Sequence, residues 1–144
     1  MLYVDNSGVT DAHLNLALEE HVLRNRMGDD DLLLFYVNAP AIIIGRNQNT
    51  VEEINSDVVA ERGIRVVRRV SGGGAVYHDL GNLNFSFMTR DVHGRFNRYD
   101  QFNGPVVEVL RELGVPAEIG GRNDILAAGA RFPATRSSQR RTAC

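Results

Sequence analysis

Read by hydrophobic spacing, the chain alternates short apolar runs with stretches in which apolar residues recur every three or four positions. Residues 1 to 5 predict a short strand, and Asp11 is placed to cap a helix that runs to about Met27 and stops at Gly28. Leu14, Leu18 and Val22 follow one another at i, i+4 and i+8, which puts them on one buried face. Leu32 to Val37 and Ala41 to Ile44 are apolar runs separated by Asn38, Ala39 and Pro40, the pattern of two strands joined as a hairpin. A second helix is predicted from Glu53 to about Arg62, closed by Gly63, after which Arg65 to Arg69 returns as a strand. Ala75 to Tyr77 and Leu83 to Met88 add further strands, and Pro105 to Leu113 suits a helix with proline in its first turn and Gly114 at its end. The order β α β β α β β β α β predicts an α+β fold rather than a doubly wound parallel sheet. No repeat or low-complexity linker interrupts it.

The 144 residues fit one domain, and with 43% apolar and 24% charged residues the chain has the means to bury a core. A net charge of −2 gives no broad attraction to phosphate polymers, so neither nucleic acid nor a membrane surface is the expected partner. The N-terminus lacks a basic stretch followed by an apolar run, and no segment approaches the roughly 18 apolar residues of a membrane span. The expected location is the cytoplasm. The single cysteine, Cys144, excludes an internal disulfide framework and a cysteine-based metal cluster. The 16 basic residues are all arginine, so no lysine amine is present for chemistry.

Chemistry concentrates in Arg68 to Phe87, RRVSGGGAVYHDLGNLNFSF, where two guanidinium groups, a hydroxyl and three successive glycines lie between predicted strands. Gly72, Gly73 and Gly74 permit backbone torsions closed to other residues and let amides face an anion, and Arg69 supplies a guanidinium suited to phosphate. From the glycines alone, a flexible hairpin with solvated arginines fits as well as a phosphate cradle. Neither of the common nucleotide-binding glycine motifs is present. The adjacent pair His78 and Asp79 is too little for a metal site, and His78 reads as a wall of the site. Arg46 in GRNQN fits a place in the pocket or a solvated strand end equally well, and Glu19 and Glu20 read as a solvated helix face.

This block resembles the signature of the lipoate-protein ligase A family, in the biotin and lipoate ligase superfamily. The similarity extends to LNLALEEHVLR from Leu14, APAIIIGRNQNTVEEIN from Ala39, PVVEVLRELGVPAE from Pro105 and GRNDIL from Gly121, covering about residues 1 to 132. The resemblance implies a mixed, largely antiparallel sheet with flanking helices, related to class II aminoacyl-tRNA synthetases, here incomplete. It also implies a two-step reaction: lipoate attacks the α-phosphorus of ATP to give lipoyl-AMP, and a lysine of a lipoyl domain then takes the acyl group. Carried over residue by residue, Arg69, Gly74, Ala75, Val76 and Tyr77 contact the nucleotide, with Asn123 and Asp124 near the adenylate or its Mg2+. Ser71, Gly72, Gly73 and His78 shape the lipoate side. Acceptors implied are the lipoyl domains of 2-oxoacid dehydrogenases and the glycine-cleavage H protein, with a separate accessory chain a further partner.

The family carries a lysine shortly after GRND, in a segment resembling K-[FIV]-S-G-N-A, where this chain has Arg131 and Phe132 followed by PATRSS. Arginine keeps the charge, but its planar fork does not reproduce a compact ammonium. The codons TCC GGC AAC GCG CAG for Ser-Gly-Asn-Ala-Gln, with the first base deleted, read Pro-Ala-Thr-Arg and then Ser or Arg, matching Pro133 to Ser137. Residues 133 to 144 are therefore expected to be an out-of-frame tail after the N-terminal part of a catalytic domain, leaving a poorly soluble or partly folded product. Two other readings compete with the ligase. One is a module that binds lipoate or an adenylate without turnover, and the other an octanoyl or lipoyl transferase, whose cysteine-using members need a thiol that only Cys144 offers.

Overall fold

The computed structural model describes residues 1–26, 28–89, 99–120, 124–127 and 130–132. Two compact units are present, one built from the chain up to residue 89 and the other from residue 99 onward.

The first unit holds two small mixed sheets. In one, β1 (Leu2–Val4) runs parallel to β2 (Leu32–Val37), which pairs antiparallel with β6 (Leu83–Met88). In the other, β3 (Ala41–Ile44) lies between parallel β4 (Arg65–Arg68) and antiparallel β5 (Val76–His78). The predicted β2–β3 hairpin is not formed, because the two strands belong to different sheets. Asn38 explains the difference: it is fully buried and tied by its side chain to Asn15 and His78, while the Ala39 amide donates to the Thr10 carbonyl. The link is thus a buried corner between sheets and not a tight turn.

Helix α1 (Ala12–Asn25) covers both sheets. Asp11 caps it as predicted, accepting the amides of His13 and Leu14, and pairs with Arg65 at 2.6 Å. The helix ends at Asn25 with Arg26 as its cap, so Gly28 plays no part in stopping it. The buried face is Ala12, Asn15, Val22 and Leu23, with Leu16 and Leu18 partly covered, whereas Leu14 is 59% exposed. This stripe is rotated by about one position from the purely apolar reading, because it carries the polar Asn15 inward. Val22 and Leu23 pack on Leu32, Leu34, Tyr36 and Met88, and Ala12 packs on Ala41, Ile43 and Val67.

The predicted second helix is α3 (Ser56–Glu61), capped by Asn55, and a short helix that spacing did not mark, α2 (Thr50–Glu53), capped by Asn49, precedes it. Each asparagine accepts a first-turn amide, and the cap at Asn55 starts α3 at Ser56 rather than at the predicted Glu53. Gly63, at φ +60°, closes α3 as expected.

In the second unit, α4 (Tyr99–Glu112) begins six residues before Pro105, which therefore lies inside the helix and forfeits one backbone hydrogen bond there. An antiparallel meander of β7 (Ala117–Gly120), β8 (Asp124–Ala127) and β9 (Ala130–Phe132) follows, with Val107, Ala117 and Ile125 as its core. The last two strands add to the predicted order. Among the described residues no helix is long and apolar enough to cross a membrane.

Leu34 is fully buried at the centre of the first core. Leu34→Ala is expected to cost about 2–5 kcal/mol in a denaturant melt, and an unchanged midpoint would show that this cluster does not hold the first unit together.

Candidate functional site

The glycine loop connects β4 to β5 and is held from two directions. From below, the Gly45 backbone comes so close that a β-carbon there would lie 1.9 Å from the Gly73 carbonyl oxygen. The Arg46 amide donates to the Ser71 carbonyl at 3.0 Å, and the Arg69 amide donates to the Ile44 carbonyl at 2.9 Å. From the side, the Arg69 guanidinium donates to the carbonyls of Gly72 and Gly74, the latter at 2.6 Å, and to that of Ile43 at 3.1 Å. With the carbonyls gathered on Arg69, the amides of Gly72, Gly73 and Gly74 have no protein acceptor among the described residues. Of the three glycines, Gly73 alone takes a positive φ, of +111°. A β-carbon on Gly72 or Gly74 meets nothing within 4 Å, so the space above those two positions is open.

Arg68 does different work. Its guanidinium donates to the carbonyls of Gly45 and Gln48, each at 2.8 Å, to that of Arg46, and to the Thr50 hydroxyl. It thereby sets the shape of the GRNQNT turn that supports the glycine loop. The side chain of Arg46 is left exposed.

Spacing missed the carboxylate at the centre of this region. Glu19, read as solvated, is partly buried and accepts a hydrogen bond from the Tyr36 hydroxyl at 3.2 Å. Ser86 also hydrogen-bonds it, and Arg69 lies near enough to act on its charge. Burial raises the Glu19 carboxyl above the ordinary 4.5, and these three neighbours offset only part of that. The Tyr36 hydroxyl is raised as well, by burial first and by Glu19 second. Glu20 keeps the solvated role, pairing with Arg24 at 2.6 Å. A cleft between α1 and β4 is lined by Leu16, Glu19, Val67, Arg69 and Val70. The signal for Glu19 was its place four residues after Asn15, on the same inward stripe.

His78, at the end of β5, is partly buried, and its Nδ1 lies 3.0 Å from Asn38 Nδ2. Its pKa is pushed below 6.5 by burial and then by Arg69, against the opposite pull of Asp79. Ala75 is partly buried, while Val76 and Tyr77 are exposed. The first unit therefore brings Arg69, Ser71, Gly72, Gly73, Gly74, Ala75, Val76, Tyr77 and His78 onto one loop and strand. In the second unit, Asp124 opens β8 opposite Gly120, and Arg131 lies on β9 opposite Leu126. Their side chains, and the whole of Asn123, lie outside the described residues.

Because the native Glu19 carboxyl holds its proton more tightly than the unfolded chain does, its ionisation costs stability. That cost is absent below about pH 4.5, grows as pH rises toward the native pKa and is complete above it. Glu19→Gln keeps an acceptor for Tyr36 and removes the charge. Its melting temperature is expected to exceed that of the parent at pH 8 and to match it at pH 4. A gap independent of pH would remove Glu19 as the titrating group.

The model of the lipoyl protein ligase A/B catalytic domain matches residues 11–143. Lipoate-protein ligase LplJ of Bacillus subtilis is 56% identical over 129 residues, which are 90% of this chain and 39% of that protein. The chain is also similar in structure to a bi-partite lipoate protein ligase from Thermoplasma acidophilum, studied with its E2 lipoyl domain. There the TM-score is 0.79 at 36% identity, over 90% of this chain and 51% of that one. A lipoate-protein ligase A bound with ATP gives a TM-score of 0.69 at 36% identity, over 81% of this chain and 52% of that one. The chain thus spans well under half the length of its Bacillus relative, and its α+β architecture is that of lipoate-protein ligases. By the family model and by the glycine loop built into this fold, the chain belongs to the lipoyl protein ligase A/B catalytic domain family.

Proposed function

We propose that this chain is the nucleotide- and lipoate-binding part of a lipoate-protein ligase, which activates lipoate with ATP and passes the acyl group to a lysine of a lipoyl domain. The observation that carries the reading is the glycine loop, whose carbonyls are gathered on Arg69 and whose amides have no protein acceptor among the described residues. Amides so arranged favour bound anions.

The lipoate carboxylate attacks the α-phosphorus, pyrophosphate leaves, and the acceptor amine later displaces AMP from the acyl carbon. Both steps rest on positioning and charge stabilisation, without an enzyme nucleophile. Gly74, Ala75, Val76 and Tyr77 serve the nucleotide, together with Asn123 and Asp124. Arg69 shapes the loop and neutralises phosphate charge at its rim. Ser71, Gly72, Gly73 and His78 face the acyl end, and the cleft beside Leu16, Val67 and Val70 takes the apolar chain. Mg2+ would arrive on the phosphates with Asp124 as its protein carboxylate. Among the described residues no group of three His, Cys, Asp or Glu is placed to hold an ion by itself.

Arg131 at the family lysine position favours a second reading, in which this chain binds lipoyl-AMP without forming it. Residues 133 to 144 are then an out-of-frame tail. The acceptors in our reading are lipoyl domains of 2-oxoacid dehydrogenases and the glycine-cleavage H protein, in the cytoplasm, with a separate accessory chain as a further partner.

The test is formation of AMP and lipoyl-AMP from ATP and lipoate. We expect the chain as it stands to bind lipoyl-AMP with little turnover. Arg131→Lys combined with the family reading frame after Phe132 is expected to raise turnover by about 10²-fold or more. Failure of both forms to bind lipoyl-AMP would overturn the ligase reading.

A further inference from the structure

Three buried or half-buried asparagines lead from the first loop to His78; backbone groups fix the amide orientations of Asn6 and Asn15, and Asn15 fixes that of Asn38. Asn6 Oδ1 accepts from the Gly8 amide, and Asn6 Nδ2 donates to the Val9 carbonyl at 2.8 Å and to Asn15 Oδ1 at 3.0 Å. Asn15 Nδ2 donates to the Val9 carbonyl and to Asn38 Oδ1, both at 2.9 Å. Reversing Asn15 would set its oxygen against the Val9 carbonyl and its nitrogen against Asn6 Nδ2, leaving two clashes between like groups. Asn15 and Asn38 are 1% and 0% exposed, so water cannot repair such a reversal.

The chain of orientation reaches the histidine. Asn38 Oδ1 is committed to Asn15, so the group it turns to His78 Nδ1 is an N–H donor. A ring nitrogen facing a donor must be bare, and the single proton of the neutral imidazole then sits on Nε2. Protonating Nδ1 would oppose two donors 3.0 Å apart. The charged groups that act on the ring are Arg69, which also disfavours the imidazolium, and Asp79, which favours it.

We infer that Asn38 is a positioning residue that fixes His78 as its neutral Nε2–H tautomer, so that the ring offers the site an uncharged donor for a ligand oxygen. The inference rests on the proposed function in one respect, that β5 borders the ligand. No spacing rule marks Asn38 for this role. It follows from the register that sets His78 opposite Ala41, three residues beyond Asn38.

The experiment is long-range proton–nitrogen correlation of the full chain labelled with ¹⁵N-histidine. There are four histidines, and His78 is assigned by the signal lost in His78→Gln. The expected pattern at neutral pH is a protonated Nε2 and a bare Nδ1, with titration below 6.5. Asn38→Asp keeps the acceptor for Asn15 and replaces the donor facing His78 with a carboxylate. It is expected to move the proton to Nδ1 and shift the titration upward. An Nδ1–H pattern or a mixture of tautomers in the native chain would overturn the inference, as would an Asn38→Asp chain whose His78 is unchanged. The native spectrum decides the matter even if the variant does not fold. Failure of lipoate and ATP to bind would strike the proposed function and leave the tautomer standing, whereas an Nδ1–H ring overturns this inference whether or not they bind.

Discussion

The carbonyl oxygen of Gly73 lies 1.9 Å from where a β-carbon on Gly45 would sit, so two backbones meet at a distance that no other residue type at position 45 allows. That contact joins the end of β3 to the glycine loop and lets short hydrogen bonds form on either side of it, from Arg46 to Ser71 and from Arg69 to Ile44. Two arginines then complete the frame from adjacent positions. Arg68 gathers the carbonyls of the supporting turn, and Arg69 gathers those of the loop itself. Each guanidinium spends its charge on peptide dipoles, which explains how so glycine-rich a segment keeps one shape.

The same economy governs α1. A helix face that buried only leucines would seal the two sheets and leave no chemistry beneath it. Instead, the inward stripe carries Asn15 and Glu19 among Ala12, Leu16, Val22 and Leu23. Asn15 locks the corner at Asn38, and Glu19 meets Tyr36 near Arg69. Polar groups buried in this way remain tolerable because they find partners.

Much of the fold was legible because strand patterning is local. Leu32–Val37, Ala41–Ile44 and Leu83–Met88 follow from apolar runs bounded by turn residues, and Asp11 announces the first helix. Sheet membership was not legible, since the corner at Asn38 depends on a buried amide whose partners are distant in sequence. The inward turn of Glu19 was hidden for the same reason: beside Glu20, it reads as solvated until Tyr36 and Ser86 are brought under it. The loop from Arg69 to His78 could be read from its glycines and arginine. The division of labour could not, because Arg68 and Arg69 differ only in which carbonyls the fold presents to them. Pro105 misled in the opposite sense, marking a helix start that α4 passes through.

In the proposed function, close approach of Gly45 to Gly73 holds the loop in the shape that accepts an adenylate. The most direct test is titration of a non-hydrolysable lipoyl-adenylate analogue into the chain and into Gly45→Ala, with circular dichroism to establish that both are folded. Binding by the parent is expected, with an affinity at least about tenfold weaker, or about 1.4 kcal/mol, in the folded variant. Equal affinity would contradict it.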